Sequence, residues 1–161
     1  MARDEHDRED LLREATALVE RVEFRLTEHA ESVVAGFRRD GCFSIFFGAQ
    51  SVYQFNSHGE LRRAFVREQL LKAQRGRLVA LRRERVPGRV ELVRHELDEQ
   101  ETATLLSSIH IDLTSVRASL ETSSAQLVGQ VPADVNVLGR VQQWLASRRG
   151  PIAVAHRPHA R

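Results

Sequence analysis

Val33-Val34-Ala35-Gly36-Phe37-Arg38-Arg39-Asp40-Gly41-Cys42-Phe43-Ser44-Ile45-Phe46-Phe47 is the stretch that decides the fold. Val33, Ala35 and Phe37 alternate with Val34, Gly36 and Arg38, and beyond Asp40-Gly41 the residues Phe43, Ile45 and Phe47 again occupy every second position. A period of two marks a strand, because successive side chains leave opposite faces of an extended backbone. Asp-Gly between two such runs predicts a β-hairpin, whose tight turn of type I′ needs positive φ at both central residues.

Outward from this hairpin the pattern repeats. Gly48-Ala49-Gln50 leads into a run at 51–56, Ser57-His58-Gly59 into 60–66, and Arg67-Glu68-Gln69 into 70–74. Arg75-Gly76 then precedes 77–85, and Val86-Pro87-Gly88 closes a last hairpin into 89–97. Short runs joined by turns of two or three residues are sequential antiparallel neighbours.

The flanks have helical period. Leu11, Ala15, Leu18 and Val22 are spaced 4-3-4, an amphipathic helix over 8–22. Val22, Phe24 and Leu26 also alternate with Glu23 and Arg25, so 22–27 fits helix or strand equally. Asp98, with Glu101 three residues on, reads as a capping box opening a helix at 98–121. Leu106, Ile109, Leu113, Val116 and Leu120 form a heptad seam on it. A Ser/Thr/Gly linker precedes a further helix at 134–149, capped at Asp134, with Val135, Leu138, Val141 and Leu145 on one side and Gly150-Pro151 as its stop.

The expected fold class is α+β: a seven-stranded antiparallel meander at 31–97, as a curled sheet or small barrel, with an N-terminal helix and two C-terminal helices. One domain spans 1–150, and 151–161 is a flexible basic tail. Seven meandering strands followed by a helix resembles the pleckstrin-homology-like superfold in element order alone, a likeness that implies no function.

Composition narrows the setting. With 42% apolar residues, a chain of 161 can bury one core. A single cysteine, Cys42, cannot form an internal disulfide and fits a reducing compartment. Residues 1–10 are mostly charged, unlike a secretory signal. No apolar stretch approaches the roughly 20 residues of a membrane span. The expected location is the cytoplasm.

The net charge of +2 conceals segregation. Residues 1–31 carry five Arg against ten acids, and 96–139 one Arg against seven acids. Residues 60–95 carry ten Arg and Lys72 against four Glu, and 140–161 five Arg with no acid. Four consecutive strands thus contribute a basic field that includes Lys72, Arg75, Arg77 and Arg94. The candidate anion-binding residues are Arg62, Arg63, Arg67, Arg82, Arg83, Arg85 and Arg89 in the sheet, with Arg148 and Arg149 beyond the last helix. Pairing around Pro87-Gly88 would set Arg83 opposite Glu91 and Arg85 opposite Arg89, a repulsive pair that an anion would relieve. The field points to an anionic macromolecule, nucleic acid or an acidic protein, as partner. The competing reading docks the protein's own acidic helices on the arginines. In that case the seam of Leu106, Ile109, Leu113, Val116 and Leu120 serves as a homo-oligomer interface in a structural or assembly protein.

The aromatic block, six of seven Phe within 37–65 beside Tyr53, reads as core rather than as a base-stacking platform. Catalytic signals are absent: no base lies at a readable spacing from Cys42, and no glycine run opens a helix to cradle phosphate. The histidines form no HxH, HxxxH or CxxC pattern within an ordered element. His58 at a hairpin tip and His110 on a helix read as ordinary surface residues. The expectation is a non-enzymatic binding module with no cofactor, no metal and no membrane span.

Overall fold

The computed structural model describes residues 10, 13–26, 31–48, 51–122, 125–129, 136–148 and 152–156. Its strands are β1 (Glu20–Leu26), β2 (Glu31–Phe37), β3 (Phe43–Phe47), β4 (Ser51–Phe55), β5 (Leu61–Val66), β6 (Gln69–Gln74), β7 (Arg77–Val86), β8 (Arg89–Glu96) and β9 (Ala125–Leu127). A short helix α1 is described at residue 10 and over 13–16. Helices α2 (Glu99–Glu121) and α3 (Val137–Ser147) follow the meander. All strand pairs are antiparallel, in the order β8-β7-β6-β5-β4-β3-β2-β1-β9, an open α+β sheet rather than a closed barrel.

Nine strands replace the expected seven. The first addition is β1, which takes the end of the expected 8–22 helix and resolves 22–27 as strand. Val22, Phe24 and Leu26 lie opposite Ala35, Val33 and Glu31, and all three are buried. Alternation outcompetes helical spacing here because β2 offers a full ladder. The second is β9, three linker residues that pair with Phe24–Leu26 along the outer edge of β1. Pairing with an open edge overrides the weak strand propensity of the linker.

The central hairpin forms, with a different turn. Arg38 N–H donates to Cys42 O at 2.8 Å, Gly41 N–H donates to Arg38 O at 3.0 Å, and only Gly41 (φ 86°) has positive φ. This is the three-residue loop, a turn followed by a left-handed glycine, and not type I′. Asp40 Oδ1 accepts the Cys42 N–H at 3.1 Å, which holds its carboxyl below the ordinary range. The β7–β8 hairpin differs by one residue from the sequence-based register. Pro87-Gly88, with Gly88 at φ 82°, forms a two-residue loop that sets Val86 opposite Arg89. Glu84 therefore faces Glu91, Arg83 faces Leu92 and Arg85 faces Val90.

One face of the sheet carries the main core. Phe43, Ile45, Tyr53, Phe55 and Leu61 are buried with Ile109, Leu113 and Val116 of α2 and Val137, Val141 and Leu145 of α3. Trp144 stacks on Phe43 at 3.7 Å between centroids, so the aromatic block is core. The heptad seam faces the core of its own chain: Ile109, Leu113 and Val116 are buried, and Leu106 and Leu120 pack against them. Of the five residues expected at an oligomer interface, three are thus enclosed in the chain's own core and Leu106 and Leu120 are half-buried beside it. Asp98 accepts from Glu101 N–H at 2.8 Å and completes the α2 capping box. The cap of α3 is Asn136, whose Oδ1 accepts from Gly139 N–H at 2.9 Å. The expected cap Asp134 and stripe residue Val135 lie outside the described residues. The chain beyond α3 is not wholly a free tail. Ile152 is buried, and Val154 bridges in parallel to Leu61. Residues 157–161 lie outside the described set.

Among the described residues the opposite face is covered at one corner, where Leu18 packs with Phe46 and Val52 beneath the α1 segment. Among the described residues no helix is long and apolar enough to cross a membrane.

Tyr53 ties the sheet to α2, its hydroxyl donating to Asp112 Oδ2 at 2.5 Å. Burial first, then the Asp112 hydrogen bond, pushes the phenol above its ordinary value. Tyr53→Phe should cost about 1 to 2 kcal/mol in urea unfolding at neutral pH. The folded chain keeps this proton where the unfolded phenol, near about 10, has lost it, so native stability falls as pH rises past that value. The variant should show a shallower alkaline decline.

Arg67 and Glu68 (φ 52° and 65°) form the two-residue β5–β6 turn without a glycine. The double substitution Arg67→Asn, Glu68→Gly should stabilise the fold by about 1 kcal/mol, read as a raised thermal midpoint.

Candidate basic groove

The uncovered half of the second face, over β5 to β8, holds a groove of about 1280 Å³. Its origin is a β-bulge. Gln54 pairs with Arg63 and Phe55 with Leu61, leaving Arg62 as the extra residue. A bulge bends its strand and re-aims the side chains beside it. Above it, β5 pairs with β6 from Arg63 to Val66. Below it, Leu61 turns instead to the C-terminal strip: its N–H donates to Ala153 O, and Ala155 N–H donates to Leu61 O, both at 2.8 Å. Ala73 and Gln74 therefore pair with β7 alone. The two sides part, and His156 lines the opening.

Strand parity supplies the charge. Gln54, Arg63 and Lys72 lie side by side on three neighbouring strands, so Arg63 and Lys72 are directly opposed like charges. Arg38 reaches the groove from the end of β2, Arg62 from the bulge, Arg75 from the β6–β7 turn, Arg77 from β7 and Arg94 from β8. Seven Arg and Lys thus line the groove against two acids, Glu14 and Glu96.

Those acids are engaged. Glu14 accepts from Arg38 Nη1 at 3.3 Å and from Gln54 Nε2 at 3.1 Å, and forms an ion pair with Arg63. Glu96 accepts from Arg77 Nη1 at 2.7 Å, a contact that lowers its pKa. Arg94 donates to Gln74 Oε1 at 2.5 Å. Lys72 and Arg75 have no carboxylate partner among the described residues. Such a field concentrates anions and holds them by charge-assisted hydrogen bonds.

Of the residues singled out from sequence, only Arg62 and Arg63 lie in this groove. Arg67 sits at the β5–β6 turn. Arg82, Arg83, Arg85 and Arg89 occupy the outer β7–β8 hairpin, where Arg82 pairs with Glu84, and Arg89 with Glu91 at 2.5 Å. The expected Arg85–Arg89 repulsion is replaced by Arg63–Lys72. Arg148 lies over Trp144 at 5.0 Å and lines a separate cavity of about 220 Å³ with His58 and Glu60. Arg149 is outside the described residues. Lys72, Arg75, Arg77 and Arg94 belong to the basic field read from the sequence but not to its candidate binding set, and Arg38 belongs to neither. Counting parity from Phe55–Leu61 would set Arg62 opposite Gln54, and it is the bulge that brings Arg63 onto the face of Gln54 and Lys72, a shift that strand alternation alone does not signal.

The chain matches no protein-family model, no curated protein and no solved structure. Its own geometry is therefore what bears on function. Among the described residues no three His, Cys, Asp or Glu side chains come together as metal ligands. His95 Nε2 lies 3.0 Å from Glu101, and exposed His58 donates its backbone N–H to Asn56 Oδ1 at 3.0 Å. Cys42 is buried, and Arg62 Nη1 is 3.8 Å from its sulfur. Burial, with Asp40 close by, raises the thiol pKa, away from the depressed values of reactive thiolates. Native protein should therefore react with a chromogenic disulfide reagent at neutral pH at least about tenfold more slowly than urea-unfolded protein.

Proposed function

We propose that the protein is a non-enzymatic binding module that contacts an anionic macromolecule through the basic groove. The observation that carries this reading is the excess of seven Arg and Lys over two acids in one concave surface, with Lys72 and Arg75 unengaged by carboxylates among the described residues and Arg63 set against Lys72. Bound negative charge relieves that repulsion and releases counterions, and both effects favour association at low salt. The outer β7–β8 hairpin contributes less, because Arg82 and Arg89 already pair with glutamates on their own strands.

The test is polyanion binding, followed by fluorescence anisotropy across a salt series. Wild-type affinity should fall linearly with salt on logarithmic axes. Each of Arg62→Glu, Arg63→Glu and Lys72→Glu should lower the slope by about one and weaken binding. Arg82→Glu should do so less. No measurable binding at low salt, or equal losses from groove and hairpin variants, would sink the assignment to the groove.

A further inference from the structure

We infer that the ligand of the groove is an extended, carboxylate-bearing segment of polypeptide; the inference rests on the anion-binding reading above and narrows it. Three observations carry it. The first is that the groove already seats one carboxylate. Glu14 is held by two guanidinium groups and by the amide of Gln54, whose side chain is almost wholly enclosed (3% residue exposure). Two charged forks and one fixed neutral donor converging on a single acid make a seat built for a carboxylate.

The second observation is backbone. Where β5 leaves β6 at the bulge, no strand among the described residues pairs with Ala73 and Gln74 on the side of β6 that faces the groove. An extended peptide brings both N–H and C=O groups to such an edge, whereas the backbone of a nucleic acid offers chiefly acceptors. The third is what the lining omits: among the described residues that form the groove there is no Phe, Tyr or Trp. Proteins that hold single-stranded nucleic acid use aromatic faces to stack successive bases. The aromatic side chains of this sheet are instead spent on the two cores. Glu14 and Glu96 also interrupt the basic lining. Carboxylates spaced along a peptide can avoid them, while the dense charge of a phosphate chain meets them head-on.

Three fluorescent probes decide the matter with the full chain at low salt: a peptide alternating glutamate with serine, its glutamine counterpart, and single-stranded DNA of equal charge. The acidic peptide should bind about tenfold more tightly than either of the others. It should also slow amide hydrogen exchange around Ala73 and Gln74. Lys72→Glu changes an exposed side chain and should keep the circular dichroism of the wild type while weakening the peptide about tenfold. Glu14→Gln frees Arg38 and Arg63 and should tighten the peptide by about two- to fivefold. DNA bound as tightly as the peptide overturns this inference and leaves the anion-binding reading intact. Peptide binding that ignores Lys72→Glu, gives no exchange protection, or is not tightened by Glu14→Gln also overturns it. If no probe binds, both readings fail.

Discussion

Each strand of an antiparallel sheet sends alternate side chains to opposite faces, and among the described residues α2 and α3 cover one of them while α1 covers a corner of the other. The rest of the structure follows from that constraint. Ile45, Tyr53, Phe55 and Leu78 go to the face where α2 and α3 lie. Their sequence neighbours must go to the other face, where α1 shields only Phe46, Val52 and the residues around them. What remains uncovered has to be polar, and in this sequence the polar residues of β5 to β8 are mostly arginine. The basic groove is thus the complement of the core, produced by the same alternation.

That coupling limits how far the groove can be varied without disturbing the fold. Arg63 and Lys72 flank Ala64 and Leu71, which are buried on the reverse face. A register slip of one residue would exchange the two sets and place cations against Ile109 and Val116. The bulge at Arg62 is a controlled local slip confined to one strand. It leaves the ladder from Arg63 to Val66 intact while releasing Leu61 to pair with the C-terminal strip. Gly59 and Gly76 both have positive φ; the Arg148 guanidinium fills the space where a Cβ on Gly59 would stand, and His156 Nδ1 lies 3.0 Å from the Cβ position of Gly76, beside the opening.

Much of this was legible in the residues. Alternation from Val33 to Phe47 and the turns after it located the meander, and the heptad of α2 located the helix that covers it. The misses have specific causes. β1 and β9 are strands because neighbouring edges were available, a tertiary fact that local spacing at Val22 or Ala125 cannot express. The register of β7 on β8 turned on whether Val86 belonged to the loop, and Gly88 in the left-handed region settled that it did not. The arginine field was visible as composition, but its division into a groove and an outer hairpin depended on where α1 and the C-terminal strip lie. The seam on α2 was readable as a seam, whereas its partner was not, since a second helix and the inner face of a sheet make the same demand on Ile109 and Val116.

The parallel bridge between Leu61 and Val154 bears on how the molecule assembles. Neighbouring strands from β1 to β8 are separated by at most five residues, so their contacts close small loops at low entropic cost. The strip at 152–156 returns to β5 only across nearly the whole later half of the chain, with α2 and α3 lying between in sequence. One wall of the groove is therefore a long-range contact, held by two backbone hydrogen bonds and the burial of Ile152. Segments so attached open by local unfolding at far lower cost than the body of the sheet. The wall that this strip gives the groove thus rests on fewer backbone ties than the meander it lies against.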